Sequence, residues 1–317
     1  MPTIRAIRPT DVIPLMAFFR NGSHRQVTAQ VWPEMRGEGN SRVMRDLLRR
    51  LVVHPGGNSQ AWICTANGAI HGLATARQRA GKLAWDVQDL IVAEAANPAG
   101  VDLLDRTAAE AARRGARRVF LVTAADGEMA RLARQAGFMH YTSEAVFAIK
   151  QGSSFTTSNA YPVRPRLRRD THALFQLYNA AVPCKVRFAE AMTVDEWTSL
   201  DRSSRPWAPR LGGNSQHFVW DEQGEIAAWV ELTFESRSQN LRLTVHPSHV
   251  QDAEKMLQYA LGHLSHKAPI YASARDYQPE LISALEKMGF TRVADRMVFA
   301  REMTVRVPNR AFVPARA

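Results

Sequence analysis

Apolar residues in this chain recur at two spacings, and the switches between them mark out its elements. Residues 3–8 read as a first strand and lead into an amphipathic helix over 11–19. Residues 41–53 have helical spacing at Val43, Leu47, Leu48 and Leu51. Strands at 61–65 and 69–76 flank Asn67-Gly68, a pair that favours a two-residue hairpin turn. Residues 84–92 are another strand. Residues 101–114 form a helix through Val101, Leu104, Ala108, Ala111 and Ala112, with Gly115 ending it. Residues 119–123 are a buried strand, Asp126 caps a helix that ends at Gly137, and residues 141–149 close the series as a strand.

The same series then starts again. Gly137-Phe138 and Gly289-Phe290 lie 152 residues apart, as do Val146-Phe147-Ala148 and Val298-Phe299-Ala300. Leu90-Ile91-Val92 matches Leu243-Thr244-Val245 at an offset of 153, and Leu104 matches Leu257. Asn67-Gly68-Ala69-Ile70 matches Gln223-Gly224-Glu225-Ile226 at 156, and so does Ile7-Arg8-Pro9 with Val163-Arg164-Pro165. Matches that keep their order this well imply two copies of one unit. Residues 151–159 are polar and turn-rich and read as the linker, giving domains over 1–150 and 160–306. In the second copy Thr193-Val194-Asp195-Glu196 is a capping box that opens a helix. A hairpin, then strand, helix, strand, helix, strand, implies an α/β fold with a mixed sheet and helices on both faces.

At 317 residues, 45% hydrophobic and 22% charged, the composition is that of a globular protein. No apolar run approaches the ~20 residues that span a bilayer, and the opening Met1-Pro2-Thr3-Ile4-Arg5 lacks a signal-peptide pattern. With two cysteines, Cys64 and Cys184, a disulfide framework or four-thiolate zinc site is excluded. A cytoplasmic protein with no membrane partner is expected. The net charge of +11 is diffuse: 20 basic against 13 acidic residues in 1–150, and 21 against 17 in 151–317. Such a surface either steers a polyanionic small molecule or only solubilises the chain. No basic stripe is interleaved with aromatics, so a nucleic-acid partner is not expected. His246 with His249, and His263 with His266, have a three-residue spacing but no companion cysteines, and no metal is expected.

The order of elements, with Gln88-Asp89-Leu90-Ile91-Val92 running into the helix at 101–114 and Asp126 eleven residues before Gly137-Phe138, resembles the GNAT-type acyl-CoA N-acyltransferase superfamily. The resemblance covers nearly the whole chain, once per half, as in tandem-domain members. It implies an acyl-CoA such as acetyl-CoA as cofactor and a small-molecule amine or a peptide as acceptor. It also implies that Leu90, Ile91 and Val92 line the pantetheine arm. Asn97, Ala99, Gly100 and Val101 then lie near the pyrophosphate at a helix N-terminus, with Asp126 beside the cofactor. The family's glycine-rich turn is reduced to Gly100 in the first half and is absent from His246-Pro247-Ser248-His249 in the second. The family's usual tyrosine is Ala133 in one half and Leu285 in the other. Gln88 stands where many members carry a glutamate. Asp86 is then the candidate base and Tyr141 the candidate acid of the first half. Strand alternation places Asp86 with Gln88 on one face and Asp89 on the other. An N-acyltransferase active in the first half is the expected function. The alternative is a ligand-binding or interaction protein that keeps the fold without catalysis.

Overall fold

Both copies of the repeat contribute to one thirteen-stranded sheet. The computed structural model describes residues 2–20, 24–28, 59–79, 83–93, 97–125, 127–149, 162–191, 193–201, 214–222, 224–234, 238–265 and 268–303. The first copy runs β1 (Thr3–Ala6), α1 (Val12–Arg20), β2 (His24–Thr28), β3 (Ser59–Ala66), β4 (Ala69–Gln78), β5 (Ala84–Ala93), α2 (Asn97–Arg113), β6 (Arg118–Ala124), α3 (Glu128–Gln135) and β7 (Met139–Ile149). The second runs β8 (Val163–Pro165), α4 (Thr171–Ala181), α5 (Cys184–Glu190), α6 (Val194–Asp201), β9 (Asn214–Glu222), β10 (Glu225–Phe234), β11 (Gln239–Val245), α7 (Ala253–Leu261), β12 (Ile270–Arg275), α8 (Pro279–Lys287) and β13 (Thr291–Glu302). The helix expected at 41–53 and the linker at 151–159, with the domain boundary it marks, lie outside the described residues.

Local chemistry accounts for many of the boundaries. Asn67 and Gly68 both take positive φ, 51° and 76°, as a tight hairpin turn between β3 and β4 requires. Gly115, Gly137 and Gly289 end helices at φ between 72° and 84°. Thr193 and Glu196 form the expected capping box: Glu196 N donates to Thr193 Oγ1 at 3.2 Å and Thr193 N to Glu196 Oε2 at 3.4 Å. Two boundaries differ from the sequence reading. Helix α2 begins at Asn97, four residues before Val101, because Pro98 has the φ of a first helical turn. The N-cap of α3 is Gly127, and Asp126 lies outside the described residues.

A buried carboxylate corrects the repeat's register at its start. Asp11 accepts from both Nη atoms of Arg5 and from the backbone N of Arg8. Asp170 accepts in the same way from Arg164 and from the N of Leu167. The equivalent positions are therefore 159 apart. The sequence match of Ile7-Arg8-Pro9 to Val163-Arg164-Pro165 is three residues out of register.

The order of strands is β1-β3-β4-β5-β6-β13-β7-β12-β11-β10-β9-β8, with β2 lying against β5. Each copy has given its last strand to the other. β13, at the end of the second copy, pairs with β6 of the first, with Phe299 opposite Leu121. β7 pairs with β12, with Phe147 opposite Ala272. The exchange extends into the cores. Phe299 is fully buried among Leu103, Leu121, Leu132 and other residues of the first half. Its repeat equivalent Phe147 is fully buried among Leu241, Leu257, Leu285 and other residues of the second. A pseudo-twofold axis passes between β7 and β13, where Glu144 faces Arg296. These two residues are equivalents in the repeat, 152 apart. In a homodimer, position 144 would meet its own copy. Here one is a buried acid and the other a largely buried base, 3.9 Å apart. Among the described residues no helix is long and apolar enough to cross a membrane.

Candidate active site

Strand β5 carries an extra residue. Thr75 of β4 faces Asp89, but the next residue, Ala76, faces Val87, so Gln88 has no opposite number. A bulge of this kind bends its strand and sharpens its twist. Beyond it β5 leaves β6: the parallel pairing covers only Ala84 with Arg118, Trp85 with Val119 and Asp86 with Phe120. The two strands therefore diverge toward the N-terminus of α2, and β2 pairs with β5 in the space between them.

The bulge also overturns the expected facing of the carboxylates. Trp85, Val87, Leu90 and Val92 all join the core beneath α2, while Ile91 packs with Leu15 and Phe18 of α1 on the opposite face. Gln88 interrupts the alternation, so Asp86 and Asp89 both face the α1 side. Asp89 is buried and accepts a 2.5 Å hydrogen bond from Thr75 Oγ1.

Both candidate catalytic residues are engaged. Asp86 accepts from Arg79 Nε at 2.8 and 2.9 Å and from Nη2 at 2.6 Å. The Arg79 guanidinium lies 3.9 Å over the Phe120 ring. To act as a base, Asp86 would have to give up these bonds. The Tyr141 hydroxyl donates at 2.9 Å to Glu190 Oε1 of α5. Burial, then the nearby Glu190 charge, pushes its pKa well above the ordinary tyrosine value, so it stays protonated. Glu190 also pairs at 2.7 Å with Arg275 Nη1, at the end of β12. Glu190, Arg275 and Arg79 were not found from the sequence. Tyr141 and Glu190 are 49 residues apart, and Glu190 and Arg275 are 85 apart. Only the strand exchange and the placing of α5 on this face bring them together.

The expected cofactor residues divide. Leu90, Ile91 and Val92 lie on the splayed part of β5, but both edges there have neighbours. β4 pairs on one side, and β2 pairs antiparallel on the other, His24 with Ala93 through to Thr28 with Asp89. A pantetheine arm would need the edge that β2 takes. Asn97, Ala99 and Gly100 form the first turn of α2. Pro98 removes one N–H from that turn. Gly100 is buried against α3 and β5, where a Cβ would lie 3.0 Å from Leu132 Cδ1 and 3.2 Å from Val92 Cγ2. Its lack of a side chain serves helix packing rather than a phosphate. Val101 lines a pocket of about 440 Å³ with Pro98, Asp102, Arg131 and Gln135, between α2 and α3.

The second half closes the corresponding place differently. β11 pairs with β10 without a bulge, and leaves β12 after Leu241 and Ala272. Gln278 bridges the gap: its Nε2 donates to the carbonyl of Leu243 at 3.3 Å, and its Oε1 accepts from the N of Arg275 at 3.1 Å. The turn after β11 is held by His246 Nδ1, which lies 2.6 Å from Ser248 Oγ. Among the described residues no group of three or more His, Cys, Asp or Glu is placed to hold a metal ion.

No family model and no curated protein matches the chain. Solved structures do. A GCN5-related N-acetyltransferase from Sphaerobacter thermophilus is 16% identical and superposes with a TM-score of 0.56, over 95% of this chain and 95% of that one. A tandem GNAT protein from the clavulanic acid biosynthesis pathway, solved without AcCoA, is 13% identical with a TM-score of 0.54, over 95% of this chain and 98% of that one. At these identities the likeness is one of fold. The chain carries the GNAT fold twice in tandem.

Proposed function

We propose that the protein is an acyl-CoA-dependent N-acyltransferase, with acetyl-CoA the simplest donor, and that the first half holds the cofactor. The observation that carries this reading is the bulge at Gln88. It splays β5 from β6 toward the α2 N-terminus and the adjoining 440 Å³ pocket. In acyl transfer the C–N bond forms as the C–S bond breaks, the amine loses a proton and the thiolate gains one. Glu190 accepts the amine proton in this reading, and its 2.7 Å pair with Arg275 gives way as it does so. The Tyr141 hydroxyl donates its proton to the leaving sulfur and regains one from the protonated Glu190 beside it, which restores both groups. Asp86, tied to Arg79, orients the acceptor rather than taking its proton.

A second reading, a ligand-binding protein that keeps the fold without catalysis, is favoured by the pairing of β2 with the edge that pantetheine needs. Calorimetric titration with acetyl-CoA separates the two. Under the transferase reading the wild type binds, and Val101→Trp, which fills the pocket, loses binding by tenfold or more. Val27→Pro, which weakens β2 opposite Leu90, binds more tightly than the wild type. If neither the wild type nor Val27→Pro binds acetyl-CoA, the transferase reading falls.

A further inference from the structure

The junction of the two halves gathers a cluster of side chains whose chemistry neither half has alone. Arg79, Asp86 and Tyr141 come from the first half; Tyr178, Glu190, Arg275 and Tyr277 come from the second. Contacts link them in sequence. Arg79 clamps Asp86 and covers Phe120, whose ring centroid is 6.4 Å from that of Tyr141. Tyr141 donates to Glu190, Glu190 pairs with Arg275, and Arg275 Nη1 lies 3.5 Å from the Tyr277 hydroxyl. The side chains of both arginines are mostly buried and keep 19% and 23% of their surface accessible. Such groups are reachable from solvent at one side.

One buried polar group here is not satisfied by the fold itself. Tyr178 is nine-tenths buried, and its hydroxyl makes no hydrogen bond among the described residues. That hydroxyl lies within the field of Glu190, Arg275 and Tyr277, and burial pushes its pKa well up, so it remains a donor. Arg275 engages Glu190 and Tyr277 through Nη1 and keeps 23% of its side-chain surface accessible. Arg79 uses Nε and Nη2 on Asp86 and keeps 19% of its side-chain surface accessible. A buried polar group without a partner is costly in an empty fold and is satisfied by a ligand of the right chemistry. Accessible guanidinium groups beside a hydroxyl donor suit a carboxylate. The carboxylates of Glu190 and Asp86 suit an ammonium group, and the rings of Tyr141 and Tyr277 suit an apolar side chain.

We propose that this cluster is the acceptor site and that it takes an amine bearing its own carboxylate, of the amino-acid class, with the carboxylate on Arg275 and the Tyr178 hydroxyl. The proposal rests on the transferase reading for its chemistry, while the binding it describes is testable without acyl-CoA.

The test uses the full chain and matched probes: L-phenylalanine, phenethylamine, which lacks the carboxylate, and 3-phenylpropionate, which lacks the amine. Transfer is read as thiol release from acetyl-CoA. L-Phenylalanine should be used at least tenfold better than phenethylamine. Tyr178→Phe should raise its KM about tenfold, the loss of one hydrogen bond to a charged group, while leaving acetyl-CoA affinity unchanged. Tyr178 makes no hydrogen bond that folding needs, so this variant should melt at or above the wild-type temperature. A merely structural tyrosine would lower Tm and spare the KM. Equal or better use of phenethylamine overturns the acceptor assignment and leaves the transferase reading standing. If no amine is acetylated, direct calorimetric titration decides: L-phenylalanine binding that Arg275→Gln and Tyr178→Phe both weaken supports the site, and absence of binding to the wild type overturns it.

Discussion

The two halves share a fold but differ at the place where each sheet opens. In the first half an inserted residue, Gln88, bends β5 away from β6 and turns two carboxylates, Asp86 and Asp89, onto one face. In the second half β11 has no bulge against β10, its strand has no carboxylate, and Gln278 ties it back to the end of β12. A bulge re-aims side chains and opens backbone, whereas a bridging amide satisfies backbone groups and closes the gap. The strand carboxylates are thus found on one side of the pseudo-twofold axis. The other side contributes α5 and the end of β12, which bring Glu190 and Arg275 to the same cluster. The halves have become complementary rather than redundant, and the facing of Glu144 with its own equivalent Arg296 records the same divergence at the axis itself.

The largest effect should come from separating the halves. A chain of residues 160–306 retains β13 but loses β6 and β7 on either side of it, and Phe299 loses its core. It should show no cooperative thermal unfolding as a monomer. A monomeric, cooperatively melting 160–306 would mean that the exchange is dispensable. A smaller effect is expected at the axis. Glu144→Arg sets two largely buried cations against each other and should cost about 3–5 kcal/mol, as breaking a buried pair does. Adding Arg296→Glu should recover most of that loss in a denaturant titration. A double variant no better than the single one would deny direct coupling between the two positions.

The smallest difference concerns the carboxylates that the halves have in common. Asp11→Asn and Asp170→Asn should each cost about 1–3 kcal/mol, since each removes charged hydrogen bonds to an arginine. Asp11→Asn should be the worse of the two, because Arg164 keeps a second carboxylate in Asp221 at 2.7 Å. The hydrogen bond from Arg5 chiefly holds Asp11 below its ordinary pKa, and the bond from Arg164 does the same for Asp170. A depressed folded-state pKa gives stability that is present above the unfolded value near 4 and is lost as the pH falls through the lower folded value. The two variants should therefore differ most from the wild type at pH 6–7 and converge with it toward pH 2. A deficit that stays constant with pH would mean the loss is one of packing, not charge.

The chain's own pattern determined the fold in outline. Asn67-Gly68 sets its turn because that conformation excludes most other residues. Gly115, Gly137 and Gly289 end helices for the same local reason. The repeat of Val146-Phe147-Ala148 at Val298-Phe299-Ala300 marks two equivalent strands, because each must bury the same phenylalanine. Sequence alone could not say that each strand buries its phenylalanine in the other half, since alternation fixes which face is apolar and not which sheet will take it. The bulge was equally hidden: a single residue that alternates normally in sequence becomes an insertion only against a particular neighbour, and the facing of Asp89 changes with it. The cluster was the least visible part. Tyr141, Glu190 and Arg275 are ordinary residues within their own elements, and they become a site only through contacts made across 49 and 85 residues of chain, which tertiary packing alone decides.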